Sequence, residues 1–201
     1  MNQSTDPAGR ARLFVALPIP TDRQANIEAE MTALKRNSQF AFKKWVHPAD
    51  LHITLKFIGD VPDEAASLIE AALERVAARS TPFPLRLLGA GTFGLTPSPK
   101  VLWIGVGGKQ EPLRSLQSDV EQELSALGYA PEQRPYAPHI TVARQYAGQA
   151  PASLEGLEKL FPDEAGPAHE WAADRLVLYR TRLGAVPMYE PVRTIAFHAG
   201  G

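Results

Sequence analysis

Two short runs in this 201-residue chain carry the same reactive side chains in the same order. Residues 51–59 read Leu-His-Ile-Thr-Leu-Lys-Phe-Ile-Gly, and residues 138–144 read Pro-His-Ile-Thr-Val-Ala-Arg. The reactive pairs are His52 with Thr54 and His139 with Thr141. Imidazole exchanges protons near neutral pH, and a hydroxyl group donates hydrogen bonds to anions. The repeated pair therefore indicates acid–base chemistry on an anionic group.

Both runs have the aliphatic and β-branched composition of a β-strand. Side chains alternate along a strand, so each His and its Thr share one face while the intervening Ile points to the other. Lys56 would extend the polar face of the first run. An isolated Thr in a strand is explained by β-propensity alone. The same His and Thr order in two strands is not.

Strand and helix patterns alternate through both halves of the chain. The first half predicts a strand over 12–17, a helix with a capping box at Thr21 and Gln24, a short strand over 43–46, and a helix opened by Pro62. The second half predicts strands over 84–88 and 101–106, an amphipathic helix over 113–127, a weaker helix over 152–161, and strands over 171–183 and 188–198. The run Gly-Ala-Gly-Thr-Phe-Gly at 89–94 formally matches a dinucleotide fingerprint, but prolines follow it instead of a helix, which favours a hairpin-like turn.

Each half thus holds a helix-bearing unit and one His-Ile-Thr strand, and the two histidines are 87 residues apart. This arrangement predicts an α+β fold of two pseudo-symmetric lobes, with facing antiparallel sheets around a central cleft and helices outside. We expect residues 1–11 to be a flexible N-terminus and residues 12–201 to form one bilobal domain. A pseudo-twofold axis would bring both His and both Thr into the cleft.

Composition narrows the classes of function. The chain has no cysteine, which excludes disulfides and thiolate metal sites, and its net charge of −1 confines any nucleic-acid contact to a local basic rim. Such a rim could be formed by Lys43, Lys44, Arg134 and Arg144. The polar start and the absence of an 18-residue apolar run predict a cytoplasmic protein without a membrane partner, and we expect a monomer. His47 and His52 lie five apart on a predicted strand and so on opposite faces, which argues against a metal site. We expect no cofactor.

Two imidazoles across a cleft suit a reaction in which one takes a proton from water and the other gives one to a departing oxygen. Hydroxyl groups and a lysine beside them suit an anion whose charge grows on non-bridging oxygens. A strained cyclic phosphodiester fits this set best. The near-identity of the two motifs leaves open which histidine is the acid.

The two motifs, together with Arg-Leu-Phe-Val-Ala-Leu-Pro at 12–18 and Trp-Val at 45–46, resemble the 2H phosphoesterase superfamily. Within it they resemble the bacterial and archaeal RNA 2′,3′-cyclic phosphodiesterases, also named 2′-5′ RNA ligases (LigT-like), over roughly residues 12–197. The resemblance implies metal-independent hydrolysis of a terminal 2′,3′-cyclic phosphate to a 2′-phosphomonoester. It implies His52 as proton donor and His139 as proton acceptor.

The resemblance also assigns the phosphate contacts. It implies that Thr54 and Thr141 hold the phosphate, and Arg144 matches the basic residue that ends the second motif. By strict alternation Arg144 lies on the face opposite His139, so it would have to reach round from the strand end. Lys56 is a further candidate for phosphate binding, and Phe14, Trp45 and Tyr136 are candidates for stacking on a terminal base.

The implied partner is an RNA 3′ end bearing a 2′,3′-cyclic phosphate, with tRNA halves among the candidates. Ligation would be the reverse chemistry, with a ribose hydroxyl in place of water. Two other functions stay open: a 2H esterase for a small cyclic phosphate or nucleotide, and a non-catalytic module that binds RNA ends.

Overall fold

The computed structural model describes residues 9–37, 40–148, 152, 156–162 and 169–198. Within these ranges the chain forms nine strands and three α-helices. In chain order they are β1 (Arg10–Pro18), α1 (Thr21–Arg36), β2 (Phe42–Trp45), β3 (His52–Pro62), α2 (Ala66–Ala78), β4 (Phe83–Leu95), β5 (Ser98–Gly108), α3 (Gln110–Ala126), β6 (His139–Tyr146), β7 (Glu170–Ala173), β8 (Arg175–Thr181) and β9 (Tyr189–Ala196).

The strands pair antiparallel in the order β7-β4-β5-β6-β3-β1-β8-β9, with β2 also beside β6. Among the described residues only one pair, Ile53 and Ile140, joins β3 to β6. This single pair divides the sheet into a first lobe of β3, β1, β8 and β9 and a second lobe of β7, β4, β5, β6 and β2. The two-lobed antiparallel α+β fold expected from the sequence is confirmed, with the lobes joined where the two motifs meet.

The hydrophobic core lies between the sheet and the helices. Ile53 and Ile140 are fully buried in it together with Leu73 of α2 and Leu113 of α3. Both helices bury an apolar stripe, formed in α2 by Ile69, Ala72, Leu73 and Val76 and in α3 by Leu113, Leu116, Val120 and Leu124. Leu68 is exposed, and Leu127 is only partly buried. Because the isoleucines of the motifs point into this core, the histidines and threonines must point to the opposite face of the sheet.

Each motif strand carries a β-bulge at the same place. In β3 the register against β1 shifts between Thr54 and Lys56, which leaves Leu55 as the extra residue. In β6 the register against β5 shifts between Thr141 and Ala143, which leaves Val142 extra. The extra residues are 87 positions apart, as the histidines are. A bulge reverses the alternation of the residues that follow it, so each lobe departs from strict parity in the same way.

Several local predictions differ from the structure. Thr21 is inside α1 and makes no capping hydrogen bond, because Pro20 is the N-cap and the Gln24 side chain donates instead to the Ile19 carbonyl. The capping box is therefore wrong. The glycine-rich run lies within strand β4, and the turn of the hairpin falls at residues 96–97. Gly91 is required there because the Trp103 indole occupies the place of a Cβ, whose position would be 2.5 Å from the indole Cζ2.

The predicted strand over 171–183 is two strands. It breaks at residue 174, so that β7 pairs with β4 in the second lobe while β8 pairs with β1 in the first. Of the weaker helix predicted over 152–161, only residues 153–155 lie outside the described residues; residues 156–161 contain a single 3₁₀ turn, Leu157–Lys159, so the predicted α-helix is wrong there. Residues 1–8 also lie outside the described residues. Arg10 and Ala11, placed in the flexible terminus, already pair in β1.

Candidate active site

The four motif side chains flank the pair that joins the lobes. Ile53 and Ile140 are direct partners across β3 and β6. His52 and Thr54 stand on either side of Ile53, and His139 and Thr141 stand on either side of Ile140. Since neighbouring side chains alternate, all four point away from the core and toward the same cleft. The juxtaposition expected from the sequence follows directly from this register.

The two histidine rings are held in the same way. Nδ1 of His52 lies 2.7 Å from the Asp50 carbonyl oxygen, and Nδ1 of His139 lies 2.7 Å from the Ala137 carbonyl oxygen. In both cases the acceptor is two residues earlier in the chain. A carbonyl can only accept, so Nδ1 carries the hydrogen and Nε2 is the nitrogen that exchanges a proton. Nε2 of His52 lies 3.1 Å from the Thr54 hydroxyl oxygen.

Three aromatic side chains contact the first histidine and two contact the second. The His52 ring centroid is 4.9 Å from that of Phe14, 5.2 Å from that of Tyr189 and 6.1 Å from that of Tyr179. The His139 ring meets Phe93 edge-on at 4.8 Å and lies 6.5 Å from Trp103. These rings pack against both imidazoles and restrict their orientation.

This environment makes both imidazoles less basic. Burial lowers the pKa of His52 from its usual 6.5 to about 4; the bond to Asp50 opposes this, while the charges of Arg144 and His139 add to it. Burial also lowers the pKa of His139, opposed by the Ala137 carbonyl and assisted by Arg144. Both rings are therefore mainly neutral in the free protein at pH 7, and Nε2 of each ring carries no hydrogen. An anion in the cleft would raise both pKa values by favouring the charged form.

Arg144 lies on the histidine face of β6. The bulge at Val142 places Val142 and Ala143 both on the buried side, so Arg144 returns to the face of His139 and Thr141. Burial is the main cause of the lowered pKa values of His52 and His139, and the positive charge of Arg144 adds to it. Burial raises the pKa of Tyr189, and the charge of Arg144 opposes that rise. Arg144 does not have to reach round the strand end.

Lys56 does not join the cleft, and its assignment to phosphate binding is wrong. The corresponding bulge at Leu55 turns Lys56 to the helix side, where only 4% of it is exposed. Its Nζ lies 2.6 Å from Oε2 of Glu121 on α3 and donates to the Ala130 carbonyl at 2.8 Å. This ion pair fastens β3 to α3 and keeps the ammonium group away from a substrate in the cleft.

The rings of the three stacking candidates already pack against other residues of the chain. Phe14 is 3% exposed because it packs between His52, Tyr179 and Tyr189. Trp45 and Tyr136 pack against the core, Lys35 lies over the Trp45 ring, and the Tyr136 hydroxyl donates to the Thr54 carbonyl. Base stacking by a buried Phe14 is therefore wrong.

Phe57 is the aromatic residue that the sequence prediction missed. It pairs with Phe14 across β1 and β3 and is 61% exposed, on the cleft side of the sheet. Counting 87 residues on from Phe57 leads to Arg144, so the two bulges bring an aromatic ring and a guanidinium to equivalent places in the two lobes. The position of Phe57 within the first motif could have indicated a role in the site. Strict alternation, however, assigns Phe57 to the wrong face.

Asp50 is a second residue that sequence reasoning missed. Its carbonyl oxygen holds His52, and its buried carboxylate accepts hydrogen bonds from the backbone N–H groups of Met188 and Tyr189 at 2.8 and 2.9 Å. One residue thus orients His52 and places the Tyr189 ring against it. No local pattern indicates this, because the partners are about 138 residues away along the chain.

Within the described residues, no three His, Asp or Glu side chains gather in a way that could hold a metal ion. The polar groups that the motifs bring to the cleft are two imidazoles, two hydroxyls and one guanidinium. Such a set can move protons and stabilise negative charge on a bound anion.

A model of the 2′-5′ RNA ligase superfamily matches residues 24–185. The chain belongs to this superfamily. Among its relatives, an RNA 2′,3′-cyclic phosphodiesterase of Geobacillus stearothermophilus is 37% identical over 183 residues, which are 91% of this chain and 56% of that protein. An RNA 2′,3′-cyclic phosphodiesterase of Bacillus subtilis is 31% identical over 186 residues, covering 92% and 96% of the two chains. This chain thus spans just over half of the first relative and nearly all of the second.

Solved structures agree with this fold. A Thermus thermophilus protein superposes with a TM-score of 0.69 at 28% identity, covering 94% of this chain and all of the other. Escherichia coli LigT in its apo form superposes with a TM-score of 0.71 at 23% identity, covering 94% and 98%, which bears on the fold alone. The family resemblance drawn from the two motifs is confirmed. No helix in the described part of the chain is long and apolar enough to span a membrane.

Proposed function

We propose that this protein hydrolyses the 2′,3′-cyclic phosphate at an RNA 3′ end to a 2′-phosphomonoester, with His52 and His139 as the acid–base pair. The observation that carries the proposal is the matched anchoring of the two rings. Each Nδ1 donates to the carbonyl two residues earlier, and both histidines flank the one pair that joins β3 to β6 in the described structure. The family relatives named as RNA 2′,3′-cyclic phosphodiesterases support the choice of substrate.

In the proposed reaction, water attacks the phosphorus atom while the neutral histidine takes its proton at Nε2. The bond from phosphorus to the 3′ oxygen breaks, and the protonated histidine gives its Nε2 proton to that oxygen. The products are a 2′-phosphomonoester and a free 3′ hydroxyl. After the reaction the base is protonated and the acid is neutral. Proton exchange with solvent restores the starting protonation state of each ring.

The remaining cleft groups would stabilise the anion. The Thr54 hydroxyl, which bonds to His52 in the free protein, and the Thr141 hydroxyl would donate to non-bridging oxygens. Arg144, which has no ion-pair partner among the described residues, would neutralise the growing charge. Phe57 offers an exposed face for the terminal base.

His52 as the acid and His139 as the base is the assignment carried by family resemblance. For His52 to be protonated, its pKa must rise from about 4 when the substrate binds. The negative phosphate beside it provides the physical cause for that rise. We further propose that the enzyme is cytoplasmic and monomeric and that it acts on RNA ends, tRNA halves among them. The relatives named as RNA 2′,3′-cyclic phosphodiesterases support the choice of RNA as substrate.

The proposal is tested with a short oligonucleotide ending in a 2′,3′-cyclic phosphate, incubated with the protein in EDTA. We expect complete conversion to the 2′-phosphate isomer, identified by comparison with synthetic 2′- and 3′-phosphates. A mononucleotide 2′,3′-cyclic phosphate in a parallel reaction distinguishes an RNA enzyme from an esterase for small cyclic nucleotides. Exclusive formation of the 3′-phosphate, or binding of the oligonucleotide with no turnover, would overturn the proposed reaction.

A further inference from the structure

Lys44 stands beside Arg144 on the cleft side of the second lobe. It is the direct partner of Arg144 across the β2–β6 pair. Opposite residues in an antiparallel pair project to the same side with Cβ atoms about 4.5–5.5 Å apart. Both side chains are exposed. The pair therefore extends the positive charge of the cleft from Arg144 onto the edge strand.

The neighbour of Lys44 indicates which face it occupies. Trp45 pairs with the buried Ala143, and Lys35 of helix α1 lies over its ring, so Trp45 is on the helix side. Lys44 precedes Trp45 and lies directly opposite Arg144, so it projects with Arg144 to the histidine face. Of the other two residues of the predicted basic rim, Arg134 is paired with Glu132, and it is Lys44, not Lys43, that lies opposite Arg144.

This pair of like charges lacks a counter-ion within the described structure. Like charges directly opposite each other in a sheet destabilise it. Neither Lys44 nor Arg144 has a carboxylate within ion-pair distance among the described residues, although other surface arginines of the chain are paired with acids. Two adjacent, unneutralised cations indicate an anionic ligand that has more than one negative group.

We propose that Lys44 binds the phosphodiester immediately upstream of the reacting phosphate and so selects an RNA end over a mononucleotide. The inference rests on the proposed function, in which Arg144 contacts the cyclic phosphate. In a polynucleotide the next phosphate is one nucleotide away, which two long cationic side chains on neighbouring strands can match. A mononucleotide cyclic phosphate offers no second anion, so Lys44 contributes nothing to it.

The test compares wild type, Lys44→Ala, Lys44→Arg and the matched control Lys43→Ala on three substrates. They are a mononucleotide 2′,3′-cyclic phosphate, a dinucleotide with the same end, and that dinucleotide with an uncharged methylphosphonate linkage. We expect Lys44→Ala to raise KM for the charged dinucleotide about tenfold to a hundredfold, the range for one hydrogen bond to a charged group, with kcat unchanged. Lys44→Arg should restore most of this loss, and Lys43→Ala should match wild type.

Two further readouts separate this role from a structural one. The methylphosphonate dinucleotide and the mononucleotide should be hydrolysed equally well by wild type and Lys44→Ala. For the charged dinucleotide, log(kcat/KM) should decrease less steeply with log[salt] in Lys44→Ala than in wild type. The slope should be less negative by about 0.7, as expected for losing one contact to single-stranded nucleic acid. An equal loss on all three substrates, or no loss on the charged dinucleotide, would overturn the proposal.

Failure of the proposed function would give a different result, namely no hydrolysis of any substrate by wild type. In that case calorimetric binding of a dinucleotide 2′-phosphate and a mononucleotide 2′-phosphate still decides the role of Lys44. Weaker binding of the dinucleotide alone by Lys44→Ala supports the contact, and unchanged binding overturns it.

Discussion

Replacing either His52 or His139 with alanine is expected to slow hydrolysis of the cyclic phosphate by about 10³-fold. Each variant loses a positioned general acid or base, and such groups contribute about 10²- to 10⁴-fold. The two changes together should cost little more than either one, because acid and base act in the same step. The measurement is single-turnover hydrolysis of a cyclic-phosphate oligonucleotide in EDTA.

His198→Ala is the matched control for these variants. His198 is exposed, its described hydrogen bonds are made by its backbone N–H to the Ala77 and Ser80 carbonyls, and it lies outside the motifs. It should keep the wild-type rate. Loss of less than about tenfold in both His52→Ala and His139→Ala would show that the two rings do not carry the proton transfers.

Replacing Asp50 with alanine is expected to lower the free energy of unfolding by about 3 kcal/mol. The change leaves the N–H groups of Met188 and Tyr189 without their acceptor, and each unsatisfied buried group costs about 1–3 kcal/mol. Asp50→Asn keeps a single acceptor oxygen and should lose less. Urea unfolding followed by far-UV circular dichroism measures the difference.

Asp50→Ala should also lower kcat at temperatures where the variant stays folded. Without the carboxylate, Tyr189 is no longer held against the His52 ring, and a small displacement of a catalytic group is costly. We expect a loss of at least about tenfold. Asp63→Ala removes an exposed carboxylate just beyond the other end of β3 and should change stability by less than about 0.5 kcal/mol. Equal stability of the two variants would contradict the role given to Asp50.

The sequence was sufficient for the fold class and for the pairing of His52, Thr54, His139 and Thr141, because those follow from strand alternation and a repeat. It did not predict which face of the sheet the residues after Thr54 and Thr141 occupy. The bulges at Leu55 and Val142 reverse the alternation, and a bulge is set by the register of the neighbouring strand instead of by local propensity. For that reason Lys56 and Arg144 exchange the faces that parity gives them.

The surroundings of His52 could not be predicted for a second reason. Its ring contacts Tyr179 and Tyr189, which come from strands at the far end of the chain. Their placement depends on the break between β7 and β8, which sends the chain from one lobe to the other. That break is decided by long-range strand pairing. It determines which aromatic rings bury His52, and burial is the main cause of the low pKa of His52.

The dependence of kcat/KM on pH, measured in EDTA on a cyclic-phosphate oligonucleotide, tests catalysis by the two histidines most directly. One ring must be protonated and the other neutral, so the rate should be bell-shaped, with limbs that belong to the coupled pair. Both pKa values are lowered from 6.5 in the free protein, that of His52 to about 4, so the maximum should lie below pH 6.5. The maximum of kcat should lie at higher pH, because the bound anion raises both pKa values. A single sigmoid, or a bell that keeps both limbs after His52 or His139 is replaced, would contradict the account.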